Sequence, residues 1–212
     1  MRQTGSALQT GILLTAMVAA APVSAQVAAT RTQEQIQALF DAHQADFDYL
    51  LGDWEFTGSR QAPGGDIAFR GYWSAVRLSV GAQILDEYRV VGDTGQTLYV
   101  STTLRSYNAM LDRWELISAE AGTGLQNVGT ARREGTQMLI EQKFGVMSRQ
   151  PSLWRIRYHD IRADRFSWKA DRSTDDGKTW VAGFMRIEAH RIGPARTMDP
   201  LAPPRRSAGV GS

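Results

Sequence analysis

The octapeptide Ser-Thr-Asp-Asp-Gly-Lys-Thr-Trp, residues 173 to 180, crowds two carboxylates and three hydroxyls around one glycine. Two chemistries suit such a cluster. Paired carboxylates are the equipment of glycan cleavage, one as acid and one as base or nucleophile. A carboxylate and a hydroxyl can also cap the backbone N–H groups of a tight turn, with Gly177 accepting positive φ and Trp180 packing over the hairpin. The fixed spacing of Ser173, Asp175, Gly177, Thr179 and Trp180 suits the second use.

That spacing resembles the Asp-box, a pattern that sialidases repeat around a propeller while their chemistry lies elsewhere. A site of that kind needs an arginine cluster, a Tyr nucleophile with an acidic partner, and several blades of about four strands each. Here the box occurs once, in a body too short for six blades. It is expected to be a hairpin device, and no catalytic residue is assigned.

Other candidates are sparse. No Gly-x-Ser-x-Gly elbow is present, and no Ser or His sits in a recognisable activating context. The neighbours Asp86 and Glu87 face opposite ways on a strand, which reads as solvated charge. The three His, at 43, 159 and 190, lack the spacing of a ligand pair, and the chain has no Cys, so no metal site is expected. Arg132, Arg133, Arg155, Arg157 and Arg162 alternate with Trp154 and Trp168, a mixture that single-strand nucleic-acid binders use. The basic pI of 9.1 resides mostly in the ends, however. Removing Arg2, Arg196, Arg205, Arg206 and Asp199 leaves 20 basic against 21 acidic residues, so no nucleic-acid partner is expected. Arg155 and Arg157 share a strand face, which reads as an outer salt-bridge ladder or, alternatively, a seat for an anionic headgroup.

The elements that must position these residues begin after residue 25. Arg2, the apolar run from Gly11 to Ala21 and the small residues Val23-Ser24-Ala25 have the form of a secretory signal peptide, so export to the periplasm or beyond is expected, with no membrane span after cleavage. Without disulfides, the remainder must rely on core burial, and its length suits one domain. Thr32-Gln33-Glu34-Gln35 is a capping box, and Ile36, Leu39, Phe40 and Phe47 follow at helical spacing, so residues 26–45 read as a linker and one helix. From Trp54 the pattern changes to short aromatic and β-branched runs. Strands are predicted at 53–60, 67–79, 82–91, 96–107, 113–120, 124–133, 136–144, 152–160, 164–172 and 179–191. No connection is long enough for a parallel crossover. About ten antiparallel strands must stack as two sheets or close into a barrel, and the pattern leaves both open.

The segment Phe47-Asp48-Tyr49-Leu50-Leu51-Gly52-Asp53-Trp54-Glu55-Phe56 resembles the opening of calycins, the superfamily of lipocalins and fatty-acid-binding proteins. The resemblance implies an all-β, antiparallel up-and-down barrel of about ten strands with an N-terminal capping helix. It also implies that Gly52 turns the backbone, Trp54 plugs one end and a basic residue of the last strand packs across the indole. Arg191 is the best placed for that, and Arg186 second. Through FDYLLGDW, SYNAMLDRWELI and DRFSWKADRSTDDGKTWVAGFMRIEAHR, residues 46–192 resemble a bacterial calycin-like family, the domain of unknown function 1579 family. The family resemblance implies a fold and hardly any function. Fatty-acid-binding relatives hold one apolar molecule, and alternation nominates Trp73, Ala75, Leu98, Val100, Leu116, Ser118, Trp154, Ile156, Phe166 and Trp168 either to line such a cavity or to fill it. Nitrobindin-like calycins hold haem through one His, so His190 or His159 are the alternative axial ligands; otherwise no cofactor is expected. The Pro- and Arg-rich tail, 193–212, is expected to be disordered. The working expectation is a non-enzymatic protein that binds a small apolar molecule, with a haem barrel or a filled structural or partner-binding barrel as alternatives. The sequence leaves oligomeric state open.

Overall fold

The computed structural model describes residues 31–78 and 82–198; the expected signal peptide and residues 199–212 of the tail lie outside them. Thr32 starts helix α1, Gln33–His43. Its hydroxyl accepts from the Gln35 N–H at 3.2 Å, and the Gln35 side chain accepts from the Thr32 N–H at 2.9 Å, so the capping box supplies partners that the first helical turn lacks. Ile36, Leu39 and Phe40 are partly buried against the barrel. A single 3-10 turn, Asp48–Leu50, then leads into the sheet.

Ten strands follow: β1 Gly52–Arg60, β2 Ile67–Arg77, β3 Gln83–Val91, β4 Thr97–Asn108, β5 Arg113–Glu120, β6 Gly124–Glu134, β7 Gln137–Phe144, β8 Ser152–His159, β9 Arg165–Ser173 and β10 Val181–Gly193. Each pairs antiparallel with the next, and β1 pairs with both β2 and β10. The sheet therefore closes into an up-and-down barrel, and the two-sheet alternative is removed. Closure leaves these strands no free edge to template association.

The disorder expected from residue 193 begins too early. A short strand β11, Arg196–Thr197, pairs in parallel with Val76 and Arg77, and Arg196 forms an ion pair with Asp53. Backbone pairing and charge hold this segment without any apolar burial.

The even number of strands makes the two ends differ. The helix, the 3-10 turn and the end of β10 gather at one end, where Phe47, Leu50, Trp54 and Trp114 are wholly buried. Phe47 meets the Trp114 ring edge-on at a centroid distance of 4.9 Å, and Trp54 meets Phe166 at 4.8 Å. The connections β1–β2, β3–β4, β5–β6, β7–β8 and β9–β10 gather at the other end. Midway along the wall, Gly71 lets β2 and β3 approach closely: a Cβ there would stand 1.9 Å from the Arg89 carbonyl oxygen and 2.6 Å from Phe56.

A Gly71→Ala variant must therefore push β2 and β3 away from each other. The expected loss is at or above the ~1–3 kcal/mol of an overpacked core site, read as a lower urea midpoint. An unchanged midpoint would mean that the strands do not approach so closely at this residue.

Candidate functional site

Inside the wall lies a cavity of about 510 Å³, open toward the five-connection end. Strand alternation decides its lining. Phe69, Trp73, Val90, Phe144, Trp154 and Met185 present an apolar surface. A polar strip interrupts it, where β4 to β7 contribute Ser101, Thr103, Ser118, Asn127 and Gln142, all buried, with the Thr103 and Ser118 hydroxyls 2.9 Å apart. Two other hollows, of about 820 and 750 Å³, lie on the outer wall among long charged side chains such as Arg132, Arg157, Lys169 and Arg186.

The cavity floor is an ion pair. Arg105 donates from Nε to Asp86 Oδ2 at 2.7 Å and from Nη2 to Oδ1 at 3.3 Å, while Trp73 Nε1 donates to Oδ1 at 2.7 Å. Asp86 is 1 % and Arg105 3 % exposed. Burial works against the charged guanidinium, but the Asp86 carboxylate together with the neighbouring Tyr158 and Tyr49 oxygens holds Arg105 above its ordinary range. Arg105 also lies 5.0 Å from the centroid of the Phe47 ring, which ties the floor to the plugged end. Burial pushes the Tyr158 hydroxyl above its usual range despite hydrogen bonding to Arg105 and Trp168, and burial does the same at Tyr49 and Tyr88. These phenols stay neutral, so the floor itself carries one compensated pair and no net charge; Arg60 lines the cavity at its mouth, and Arg172 lies over Phe184, 5.0 Å from the ring centroid.

The nominated lining residues divide. Trp73, Trp154, Ile156 and Trp168 line the cavity, as does Ser118. Leu116, Phe166 and Ala75 are buried in the core around it and fill space instead. Leu98 and Val100 correct the expectation, because the inward residues of β4 are Tyr99, Ser101, Thr103 and Arg105. Leu98 is exposed and Val100 partly so, since a strand's two faces exchange on a one-residue shift of phase. Asp86 is a second correction: its neighbour Glu87 pairs with Arg89 outside, but Asp86 is not solvated. Sequence reasoning missed Asp86 and Arg105 as partners; the available signal was two opposite charges, each on an otherwise inward-facing alternation of adjacent strands.

At the plugged end Arg191 lies over Trp54, 4.0 Å from the ring centroid, and Gly52 has φ of 112°. Arg186 stands on the outer wall, as do His159 and His190. His159 Nδ1 is 2.8 Å from Asp160 Oδ2, His190 is exposed, and His43 Nδ1 on α1 meets Asp46 Oδ2 at 2.9 Å. No imidazole lines the interior, so these residues do not fit a single-His haem site there. The outer ladder is also incomplete: Arg157 and Arg186 both flank Lys169 across the strands.

The octapeptide forms the β9–β10 connection. Ser173 Oγ accepts from the Gly177 N–H at 2.8 Å and donates to Asp175 Oδ1 at 2.8 Å, and Asp175 accepts from the Thr179 N–H at 2.9 Å and from its hydroxyl at 2.7 Å. Trp180 donates to the Gly177 carbonyl at 3.0 Å, and Arg155 lies 4.0 Å from the Trp180 ring centroid. These polar groups are thus spent on the turn itself. The Thr179 hydroxyl, the Thr179 N–H and Ser173 lower the Asp175 carboxyl from 3.8 to about 2.

Among solved structures the chain is similar to that of Rv2717c from M. tuberculosis, at 17 % identity and a TM-score of 0.51, covering 71 % of this chain and 97 % of the other. At that identity the likeness is one of fold, a calycin-like barrel. No protein-family model and no curated protein sequence matches the chain.

Two measurements follow from this geometry. Replacing Asp86 by Asn, or Arg105 by Met, strands a buried partner and is expected to cost ~3–5 kcal/mol, whereas Asp86→Leu with Arg105→Met should recover much of that loss; denaturant unfolding of the three variants checks it. Because the Asp175 carboxyl is depressed in the fold, its support of the hairpin is complete above its ordinary value of 3.8 and is lost as pH falls through about 2. A carboxyl NMR titration should place its midpoint near 2, and Thr179→Val should raise it.

Proposed function

We propose that this is an exported, non-enzymatic barrel of the domain of unknown function 1579 type that binds one small, largely apolar and uncharged molecule in its interior. The observation that carries this reading is the cavity of about 510 Å³, whose volume lies within the ~300–1,000 Å³ of small-molecule sites. A mostly aromatic and aliphatic wall with a short polar strip suits a hydrocarbon body bearing one hydrogen-bonding group. The space itself disfavours the filled-barrel alternative.

The floor argues for a neutral ligand. Arg105 is the interior's basic group at that depth, and its two bonds to Asp86 already satisfy its charge. A ligand carboxylate buried beside the pair would add an anion without a counter-ion, an arrangement whose desolvation cost is large. An alcohol or amide can instead bond to the hydroxyls of Ser101, Thr103 or Ser118. Export rests on the form of residues 1–25, and the family on the segments of 46–192 quoted above.

Trp73, Trp154 and Trp168 give the cavity its own optical probe. Titration with hexadecanol is expected to change tryptophan emission saturably, and palmitate is expected to bind at least ~10-fold more weakly for want of a free cation at that depth. If neither lipid saturates, cavity binding is wrong; if palmitate binds as well as the alcohol, only the neutrality of the ligand is.

A further inference from the structure

We propose that the open end of the barrel docks on a zwitterionic lipid surface through a broken ring of apolar side chains around the cavity mouth. This goes beyond the cavity reading, since the ring stands whatever the interior holds. The five connections at that end span 61–66, 92–96, 121–123, 145–151 and 174–180. Each carries, within it or within two residues of it, an exposed apolar residue: Ile67, Leu98, Leu125, Met147 and Val181, from 42 % exposed at Leu125 to 81 % at Met147. Among the described residues of the plugged end, exposed large apolar side chains are confined to Met110, Leu111 and Ile192. One apolar residue on every turn of one end is a distribution that scattered surface residues do not give.

The ring is continuous with the cavity, because Ile67 and Tyr99 line it while remaining partly exposed at the mouth. The charge of the five connections then selects the surface. Over the same windows they hold Asp66, Asp93, Glu120, Asp175 and Asp176 against Arg60, Lys143, Arg149, Arg172 and Lys178, so they carry no net positive charge to attract anionic lipid. Apolar insertion among zwitterionic headgroups fits this composition.

A second copy fits less well. A stable protein interface buries about 800 Å² per partner with an interior-like packed centre. Two rings set face to face would enclose two cavity mouths at that centre and leave it unpacked. Acyl chains and headgroups conform to such a rim.

The absence of cysteine provides a clean test, because Met147→Cys and Met110→Cys each give a single labelling site in the full chain, one at each end and both well exposed. With an environment-sensitive nitrobenzoxadiazole label, adding phosphatidylcholine vesicles is expected to raise and blue-shift emission several-fold at 147 and to leave 110 unchanged. Leu98→Ser with Val181→Ser, added to the 147 chain, should abolish most of the rise; these residues lie outside the cavity lining. No rise at 147, or equal rises at both sites, overturns the proposal. So does a rise that appears only with phosphatidylserine and vanishes with added salt, or one that grows with protein concentration without vesicles, which would assign the ring to a second copy.

Discussion

The guanidinium of Arg191 holds together the seam on which the barrel depends. It stacks on Trp54, its register partner across the β1–β10 pairing, a contact worth ~0.5–2 kcal/mol. It also donates to the carbonyls of Leu51 at 2.5 Å, Tyr49 at 3.1 Å and Ala163 at 2.6 Å. Those carbonyls belong to the exit from the helical segment and to the β8–β9 connection, so one side chain ties two stretches far apart in sequence to the end of β10. Gly52 makes the reach possible, because a Cβ there would stand 2.5 Å from the Arg191 Nη1. Once that register is fixed, the inward and outward positions of β1 and β10 beside it follow, since a slip of one residue would exchange the faces.

The interior then has to accept what that register turns inward, including Asp86 and Arg105. Neither would be tolerated singly in a dry wall, and together they require the fork geometry that they adopt. Trp73 completes the arrangement by giving the carboxylate a third bond while its ring remains in the cavity wall. The pair thus joins two jobs. It is a floor under the cavity, and through Arg105 over Phe47 it is the upper layer of the plug.

Much of this was legible in the sequence, for identifiable reasons. Turns rich in Gly, Asn and Asp bounded all ten strands within a few residues, and Thr32 with Gln35 announced the helix, because capping and turn chemistry are local. Closure was not local: it entered through the resemblance of the Gly52–Trp54 segment to calycins. The site was half legible. Trp154, Ile156 and Trp168 could be nominated because apolar residues alternate with charged or polar ones on their strands, and Trp73 because it shares a phase with Ala75, but β4 reads Leu-Tyr-Val-Ser-Thr-Thr-Leu-Arg, apolar on both phases at its start and polar on both in its middle. Only the cross-strand register decides that Ser101 and Thr103 face in. Asp86 was misread for the same reason, since the partner that makes its burial tolerable lies on the next strand, 19 residues away.

Strand number explains why the two ends of the barrel differ so much. With ten strands, an even number, β1 starts and β10 finishes at the same end, so the helical lead-in, the last strand and β11 all converge there. Chain ends are the segments free to fold over a barrel, and here every one described lies on one side. Among the described residues the other end is built from hairpin turns alone, each committed to its own hydrogen bonds, as the Asp175 box shows. Such turns can rim an opening but have no spare chain to cover it. The asymmetry therefore arises from topology before any side chain is chosen: the end where β1 starts and β10 finishes is packed shut with Phe47, Trp54 and Trp114, and the cavity opens at the end where the turns carry apolar residues.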